Sequence, residues 1–463
     1  MPQDILVLMT DQHRADWVGC YGAKWVRTPT LDSLAAEGVR FANCITTSPL
    51  CMPARASFLT GQYPHNTGMW DNIGRVHDVY STYLHPLRHA GYRTCHVGKS
   101  HLHPHGGGRD LRNELPYMHA LGWDDVLECT GPLSTQTTFS ILTDWMQAEG
   151  IYQTFLDDYR RRAEHPGPAL WPSPLPDGKH PDDFMARTAV EYIEKSDLSQ
   201  PLFLFVGLGG PHNPWDPPKR FDTYRNEDMP PPLPADPTPE WLSGAALEHH
   251  QNMMRHNKNV TREQWARMRA LYSGRVEHVD HCIGQILEAW YSRRGRNTWV
   301  LFWSDHGDML GDKSRTAKSV FYKASARVPV ILRPPNGCAP AVCEGLVSTV
   351  DLTATLLDIA GCEPQPNVFG NSLLSALKEP QSTGADFVLS EVHDQTMISD
   401  GRHRMVVNSN NEVLELYDLA ADPDETLNLA GKPGTEEIVE HLRSALLEFL
   451  LRTADRQTRE VNG

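Results

Sequence analysis

Long apolar runs are missing from this sequence, and so is any surplus of positive charge. No run approaches the roughly 18 apolar residues needed to span a bilayer, so we expect no membrane-embedded segment and no membrane partner. The 43 Lys and Arg residues are outnumbered by 58 Asp and Glu, and the net charge of −15 argues against a nucleic-acid partner. The N-terminus also lacks a signal peptide, which predicts a cytoplasmic protein.

Paired cysteines are a second absence. The nine cysteines are odd in number and contain no Cys-X-X-Cys pair, so neither a disulfide framework nor a structural zinc site is expected. The chain does contain 40% hydrophobic and 22% charged residues, which is ordinary for a globular enzyme. A length of 463 residues predicts one large domain and a smaller one.

Short apolar runs alternate with amphipathic stretches along most of the chain. Four runs predict buried parallel strands, because they leave no polar face for water: Ile5–Met9, Leu202–Leu208, Trp299–Trp303 and Val328–Leu332. Helical spacing is found at Thr28–Gly38, Asp183–Lys195 and Glu263–Trp290. This alternation indicates an α/β sheet covered on both faces by helices. The Pro-rich stretches His165–Pro181 and Asp216–Pro239 predict long surface loops.

The pattern changes after about Leu374. Four short strand-like runs follow, at Phe387–Leu389, Thr396–Ser399, Arg404–Asn408 and Leu414–Tyr417. A helix is predicted from about Glu436 to Arg452. We therefore predict a catalytic α/β domain over residues 1–375 and a small α+β domain with an antiparallel sheet over residues 376–463. The terminal helix offers a surface for a homo-oligomer contact, and the sequence leaves the oligomeric state open.

Polar side chains follow two of the predicted strands. Asp11 and Gln12 come after the first strand, and Asp305 and His306 come after Trp299–Trp303. Ligands of doubly wound sheets bind beyond the carboxyl ends of the strands, so these loops could face one site. Their oxygen and nitrogen atoms could bind one divalent metal. Taken singly, a carboxylate after a strand is more often a helix cap.

The most informative segment begins at Cys51, where Cys51-Met52-Pro53-Ala54-Arg55 resembles the maturation signature of type I sulfatases. In that family an enzyme oxidises the cysteine to formylglycine, whose hydrate is the nucleophile. A hydrate carries two hydroxyls, so one can attack the ester while the other later expels the bound product. Arg55 lies one helical turn beyond Cys51, close enough to support an oxyanion if a helix starts here.

Further motifs similar to this family occur in the same order along the chain. They are Thr10–Asp16, Cys51–Gly61, Gly98–Leu102, Pro211–Pro214, Ser304–Gly307 with Lys318, and Leu416–Leu419. The chain is therefore identified as a member of the type I sulfatases of the alkaline phosphatase superfamily, similar to bacterial arylsulfatases and choline-sulfatase-like enzymes. The resemblance extends to formylglycine-bearing phosphonate monoester hydrolases. It implies a large, mixed, mostly parallel sheet sandwiched by helices, with a smaller C-terminal α+β domain.

The resemblance also implies a metal site and a cofactor derived from the chain itself. The implied metal ligands are Asp11, Gln12, residue 51, Asp305 and His306. Calcium sulfatases usually present paired aspartates and an Asp-Asn pair at these two loops. Ca²⁺ is the first expectation from the resemblance. Here the pairs are Asp11-Gln12 and Asp305-His306, and one carboxylate fewer with an added imidazole gives weight to Mn²⁺ as the alternative. Formylglycine would be made from Cys51 by a formylglycine-generating enzyme.

Catalytic roles are carried over only where motifs match. The implied catalytic residues are Cys51, Arg55, Lys99, His101, His212 and Lys318. The implied substrate-binding residues are Asn72, Lys99, His212 and Lys318. His212 would be the general acid on the leaving oxygen, and His101 would assist collapse of the hemiacetal.

Four neighbouring side chains are assigned no catalytic role. Lys313 stands where many relatives have His, and we expect it to be a solvated loop lysine. His96, His103 and His105 lie near a Gly-rich loop, and we expect them to be solvated or substrate-facing rather than a metal cluster.

The predicted function is hydrolysis of a small-molecule or carbohydrate sulfate monoester to an alcohol and inorganic sulfate. The alternative is hydrolysis of a phosphonate monoester or phosphodiester by the same residues, since each substrate carries one negative charge and passes through a trigonal bipyramidal transition state. A non-catalytic binding protein that keeps Cys51 as a thiol is the alternative from another class. The sequence leaves the leaving group open.

Overall fold

A computed structural model describes residues 2–77, 82–234, 257 and 259–454. Within these ranges, eight strands form one large sheet in the order β4-β3-β5-β1-β6-β7-β2-β8. Their bounds are β1 Ile5–Asp11, β2 Val39–Ile45, β3 Arg93–Lys99, β4 Asp125–Cys129, β5 Leu202–Pro211, β6 Trp299–Ser304, β7 Arg327–Arg333 and β8 Ala341–Ser348. The sheet belongs to the α/β class that the sequence predicts.

Strand direction is parallel through the centre of the sheet and changes at one strand. β1 pairs in parallel with β5 and β6, and β3 does so with β4 and β5. β7 runs antiparallel to both β6 and β2. The prediction of a parallel strand at Val328–Leu332 is therefore wrong in direction. Burial on both faces fixes the apolar composition of such a strand and leaves its direction unspecified.

Helices cover both faces of the large sheet. Alternate residues of β1 show this directly, because Ile5 and Val7 belong to one apolar core while Leu6 and Leu8 belong to another. The α-helices are α1 Pro29–Ala35, α2 Cys51–Thr60, α3 Pro64–Thr67, α4 Leu84–His89, α5 Leu115–Ala120, α6 Ile141–Ala148, α7 Tyr152–Glu164, α8 Pro181–Lys195, α9 Arg262–Arg294, α10 Lys323–Ala326, α11 Thr349–Ile359 and α12 Glu436–Arg452. The two cores explain why the central strands are apolar on every side.

The predicted helices exist, with shifted ends. α1 is shorter than the predicted Thr28–Gly38, α8 begins earlier at Pro181, and α9 extends to Arg294. Pro181 suits a first helical position, where its missing N–H costs nothing. The Pro-rich stretch before it contains no helix or strand. The second stretch contains only short 3-10 turns up to residue 234, and residues 235–239 lie outside the described ranges.

A second, antiparallel sheet lies in the C-terminal part of the chain. Its strands are β9 Val388–Val392, β10 Gln395–Ser399, β11 His403–Asn408 and β12 Val413–Asp418, in the order β12-β11-β10-β9. They match the four predicted strand runs to within a few residues, and α12 has the predicted bounds. Tyr63 and Val350 share the apolar core of this sheet with Leu442 of α12. The predicted domain boundary at residue 375 stays a prediction.

Two expected absences can be checked within the described residues. All nine cysteines are described, and none forms a disulfide. Among the described helices, none combines the length and the apolar character needed to cross a membrane.

Candidate active site

Cys51 is the first residue of α2 and is buried. It is 1% exposed, and every residue of α2 is buried. Its Sγ lies 3.0 Å from His306 Nε2 and 4.0 Å from Asp11 Oδ1. The start of a helix carries partial positive charge and unpaired N–H groups, so an anionic atom at position 51 is favoured there.

Three further donor atoms surround Cys51. Asp11 ends β1, and Asp305 and His306 follow β6 directly. Because β1 and β6 are parallel neighbours, all three residues lie at the same edge of the sheet. Ligand atoms of these residues and Cys51 Sγ lie within 4.8 Å of one another, and all four residues are buried. His306 Nδ1 donates to the Gly307 carbonyl at 3.0 Å, which leaves Nε2 as the free ligand atom. Two carboxylates and an imidazole fit a divalent cation.

Arg55 holds the two carboxylates of this cluster. Its Nε donates to Asp305 Oδ2 at 2.8 Å, and its Nη2 donates to Asp11 Oδ2 at 2.9 Å. Its Nη1 donates to the carbonyls of Lys99 and Ser100 at 3.0 and 3.2 Å. The guanidinium is therefore hydrogen-bonded to the two candidate metal-binding carboxylates and to backbone carbonyls, and its predicted contact with an oxyanion stays a prediction.

Two lysines reach the same pocket. Lys99 Nζ pairs with Asp11, and Lys318 Nζ donates to Gln12 Oε1 at 2.5 Å. Gln12 has a φ of 65°, and its N–H donates to Asp305 Oδ1 at 3.1 Å. A positive φ in a residue other than glycine is held by its surroundings and is typical of functional sites.

Asp308 is a site residue that sequence reasoning missed. It accepts a bond from the Gln12 amide through Oδ2. Its Oδ1 accepts the N–H groups of Leu310 at 2.7 Å and Ala317 at 3.0 Å, which orders the loop that leads to Lys318. The only signal in the sequence was its place at the end of the Ser304–Asp308 segment.

The electrostatics of the pocket favour an anion at position 51. Burial alone raises the pKa of a thiol, but Lys318, His306 and Lys99 hold the pKa of Cys51 well below its ordinary range. Burial likewise opposes ionisation of Asp11, yet Lys99 and other nearby cations lower the pKa of that carboxyl. Burial and the neighbouring Asp11 charge raise the pKa of Asp305. Such a pair of adjacent carboxylates favours a bound cation.

His212, His101 and Asn72 occupy the edges of the pocket. His212 follows β5, and its Nδ1 lies 2.6 Å from the Asn213 carbonyl. Burial, followed by Lys318, lowers the pKa of His212 to about 3. The ring of His101 packs on that of His105, with centroids 5.0 Å apart. Asn72 Oδ1 accepts the Met52 N–H at 2.9 Å and so caps α2.

The predictions for Lys313, His96, His103 and His105 need correction, since the His105 side chain is also only 1% exposed. Lys313 is 2% exposed, and its Nζ donates to the Glu425 carbonyl at 2.6 Å, because a C-terminal segment covers the loop. His96 lies within β3 and is buried. His103 is 0% exposed and pairs with Glu128 of β4. In each case the burying partner is distant in sequence, so local composition could not indicate it.

Comparison with known proteins identifies the family. The family model described as Sulfatase matches residues 3–362, and the model described as N-sulphoglucosamine sulphohydrolase, C-terminal matches residues 311–451. An arylsulfatase of Clostridium perfringens is 30% identical over 474 residues, covering 97% of this chain and 95% of that protein. A choline-sulfatase of Rhizobium meliloti is 31% identical, covering 93% of this chain and 83% of that protein.

Solved structures share the fold. The phosphonate monoester hydrolase of Agrobacterium radiobacter has a TM-score of 0.81 at 22% identity and covers 98% of this chain and 96% of its own. At 22% identity this structural similarity supports only the shared fold. The enzyme class is supported by the family models and by the two sulfatases. The chain therefore belongs to the sulfatase family of the alkaline phosphatase superfamily and is a sulfuric ester hydrolase.

Proposed function

We propose that this chain hydrolyses a small-molecule or carbohydrate sulfate monoester, using formylglycine made from Cys51 and one divalent metal ion. One observation carries the proposal: Cys51 begins α2 in a buried pocket, with its Sγ 3.0 Å from His306 Nε2 and close to Asp11. In this position Sγ stands where the oxygens of a formylglycine hydrate would lie. The hydrate would supply the attacking hydroxyl at this position.

The donor set supports a resident divalent metal. Asp11, Asp305, His306 and residue 51 would hold it. The Gln12 amide oxygen, which accepts a hydrogen bond from Lys318 Nζ, would be a further ligand. When bound, the ion would act as a Lewis acid that lowers the pKa of a hydroxyl and draws charge from the ester. The carboxylate oxygens suit Ca²⁺, the first choice, and the imidazole favours Mn²⁺ as the alternative.

The cations of the pocket match a singly charged ester. Lys99 is buried and pairs with Asp11, while Lys318 lies over Gln12. Burial opposes the charged form of Lys318, but Cys51 and Asp11 raise its pKa, so it stays protonated. In a water-poor pocket, these fixed charges would stabilise the developing negative charge on the sulfuryl oxygens more strongly than solvent does.

His212 would protonate the leaving oxygen. Without substrate the ring is neutral at neutral pH, because burial and Lys318 lower its pKa to about 3. Nδ1 is engaged by the Asn213 carbonyl, so Nε2 is the atom available to substrate. An anionic ester beside the ring would offset the charge of Lys318 and raise the pKa of His212, after which Nε2–H would donate to the leaving group.

A second candidate function is hydrolysis of a phosphonate monoester or phosphodiester. Two observations favour it: the phosphonate monoester hydrolase fold likeness, and the Asp11-Gln12 and Asp305-His306 pairs that differ from those of calcium sulfatases. The charge of the transferred group is the same as in a sulfate ester, so the same lysines would serve.

The test is kcat/KM for an aryl sulfate against an aryl phosphodiester with the same leaving group. The protein is co-expressed with a formylglycine-generating enzyme, conversion of Cys51 is checked by peptide mass spectrometry, and Ca²⁺ or Mn²⁺ is supplied. We expect a preference for the sulfate that disappears in Cys51→Ala and persists in the control Cys338→Ala. A preference for the diester would overturn the first proposal in favour of the second, and activity in Cys51→Ala would overturn both.

A further inference from the structure

A second group of metal-binding side chains lies beside the active-site segment, on residues that the proposed mechanism does not use. β3 ends at Lys99, and the loop after it carries His103 and His105. Glu128 projects from the parallel strand β4, where its register partner is Gly98. The two strands therefore bring the carboxylate next to the loop.

The three side chains are close together and buried. His103 Nε2 lies 3.0 Å from Glu128 Oε2, and His105 Nε2 lies 3.4 Å from Glu128 Oε1. The exposed fractions are 0% for His103, 6% for Glu128 and 1% for the His105 side chain. One ligand atom from each of the three residues lies within 4.8 Å of the other two.

Several nitrogen atoms of this group have no hydrogen-bond partner among the described residues. They are His103 Nδ1, both ring nitrogens of His105, and Nδ1 of the adjacent His101. The His105–Glu128 contact is within ion-pair distance, but its alignment does not make a hydrogen bond. Buried polar groups of folded proteins are nearly always paired, so several unpaired imidazole nitrogens around one carboxylate indicate a missing ligand.

We propose that His103, His105 and Glu128 bind a second divalent ion, zinc or a similar transition metal, separate from the ion at Asp11 and Asp305. Two imidazoles and one carboxylate are a known zinc ligand set, with the fourth position left to water. Tetrahedral ligand atoms about 2.0–2.1 Å from zinc stand roughly 3.4 Å apart. His103 Nε2 lies 3.0 Å from one Glu128 oxygen and His105 Nε2 lies 3.4 Å from the other, so each imidazole is near that separation from a carboxylate oxygen.

The surroundings support the ligand roles. The Ser100 hydroxyl donates to Glu128 Oε1 and would orient the carboxylate. A simple ion pair between His103 and Glu128 would explain one of the two contacts, but it leaves both nitrogens of His105 without a role.

Metal content tests the site. The protein is loaded with Ca²⁺, exposed to a small excess of Zn²⁺, desalted and analysed for both metals. We expect the wild type to retain one equivalent of zinc and His105→Gln to lose it. Asp305→Asn, at the first site, and the exposed control His89→Gln should both retain it. Absence of bound zinc in the wild type, or full retention in His105→Gln, would overturn the proposal.

Cobalt gives a second readout that does not depend on one variant folding well. Co²⁺ in place of Zn²⁺ should give the visible absorption of a tetrahedral site in the wild type, and Glu128→Gln should lose that absorption. Circular dichroism checks that each variant is folded. If His105→Gln loses zinc but the wild type shows no tetrahedral Co²⁺ spectrum, the proposed ligand set is wrong. These measurements involve no ester, so their outcome is independent of the proposed sulfatase mechanism.

Discussion

The guanidinium of Arg55 donates to the Asp11 carboxylate at 2.9 Å, one helical turn beyond Cys51. α2 therefore carries both the residue proposed to become formylglycine and the cation that holds a candidate metal-binding carboxylate. The same guanidinium bonds to Asp305, so one side chain joins the ends of β1 and β6 to the start of α2. The geometry of the metal cluster depends on this connection.

Replacing Arg55 should damage stability and activity together. Arg55→Ala leaves the buried carboxylates of Asp11 and Asp305 without their partner, and breaking a buried pair in this way costs about 3–5 kcal/mol of unfolding free energy. Urea unfolding measures the loss, and kcat/KM should fall in parallel. The control is Arg160→Ala, whose pair with Asp157 is exposed on both sides and should cost no more than about 1 kcal/mol. Equal stability of the two variants would show that the bonds of Arg55 to Asp11 and Asp305 do not stabilise the fold.

Removing the metal should destabilise the folded protein as well as stop catalysis. A ligand that binds only the folded state adds about 2.7 kcal/mol when its free concentration is about 100-fold above Kd. We expect chelation to lower the unfolding temperature of the wild type and to have little effect on Asp305→Asn, which has lost a ligand. The exposed control Asp394→Asn should respond like the wild type. An unfolding temperature that chelation leaves unchanged would argue against a resident ion.

His96 should make stability depend on pH. Burial lowers its pKa to about 4, below the ordinary value of 6.5, so the unfolded chain binds the proton more tightly. Stability should then rise with pH between about 4 and 6.5, by on the order of 3 kcal/mol for this one residue. His96→Gln should reduce the slope of unfolding free energy against pH in that window. The exposed control His441→Gln should leave it unchanged, and an unaltered slope in His96→Gln would refute the assignment.

The role of His212 can be separated from general damage by varying the leaving group. A general acid matters most when the departing oxygen is strongly basic, and its contribution is typically about 10²–10⁴-fold. His212→Ala should therefore lose far more kcat on an alkyl or phenyl sulfate than on a nitrophenyl sulfate. The exposed control His281→Ala should lose little on either. A uniform loss across leaving groups would assign His212 to binding instead of proton transfer.

The central elements of the fold and the loops that carry the metal cluster could be predicted from the sequence. The strands β1 and β6 are buried on both faces, so nearly every residue along them is apolar and each strand is visible as an apolar run in the sequence. Because ligands bind beyond the carboxyl ends of such strands, the placement of Asp11 and Asp305 followed from the runs. The motif around Cys51 placed the third part of the cluster.

Features that depend on distant partners could not be predicted. The direction of β7 is set by pairing with β6 and β2, which its apolar composition does not encode. The local sequence around Lys313 and His103 is that of polar loops. Their burial depends on Glu425, whose carbonyl accepts from Lys313, and on Glu128, which pairs with His103. The supporting role of Asp308 also depends on tertiary structure. Its carboxylate oxygens accept hydrogen bonds from Gln12 and Ala317 only after folding has brought these residues beside it.

The burial of α2 also bears on whether conversion of Cys51 precedes or follows folding. Cys51 lies at a helix start whose ten residues are all covered, with the ends of β1 and β6 packed around it. An enzyme that oxidises a side chain must reach it, and in the folded chain Cys51 is 1% exposed. Conversion of Cys51 would therefore have to occur during or just after synthesis, before the sheet closes, and a chain that folds first would be locked in its unconverted form.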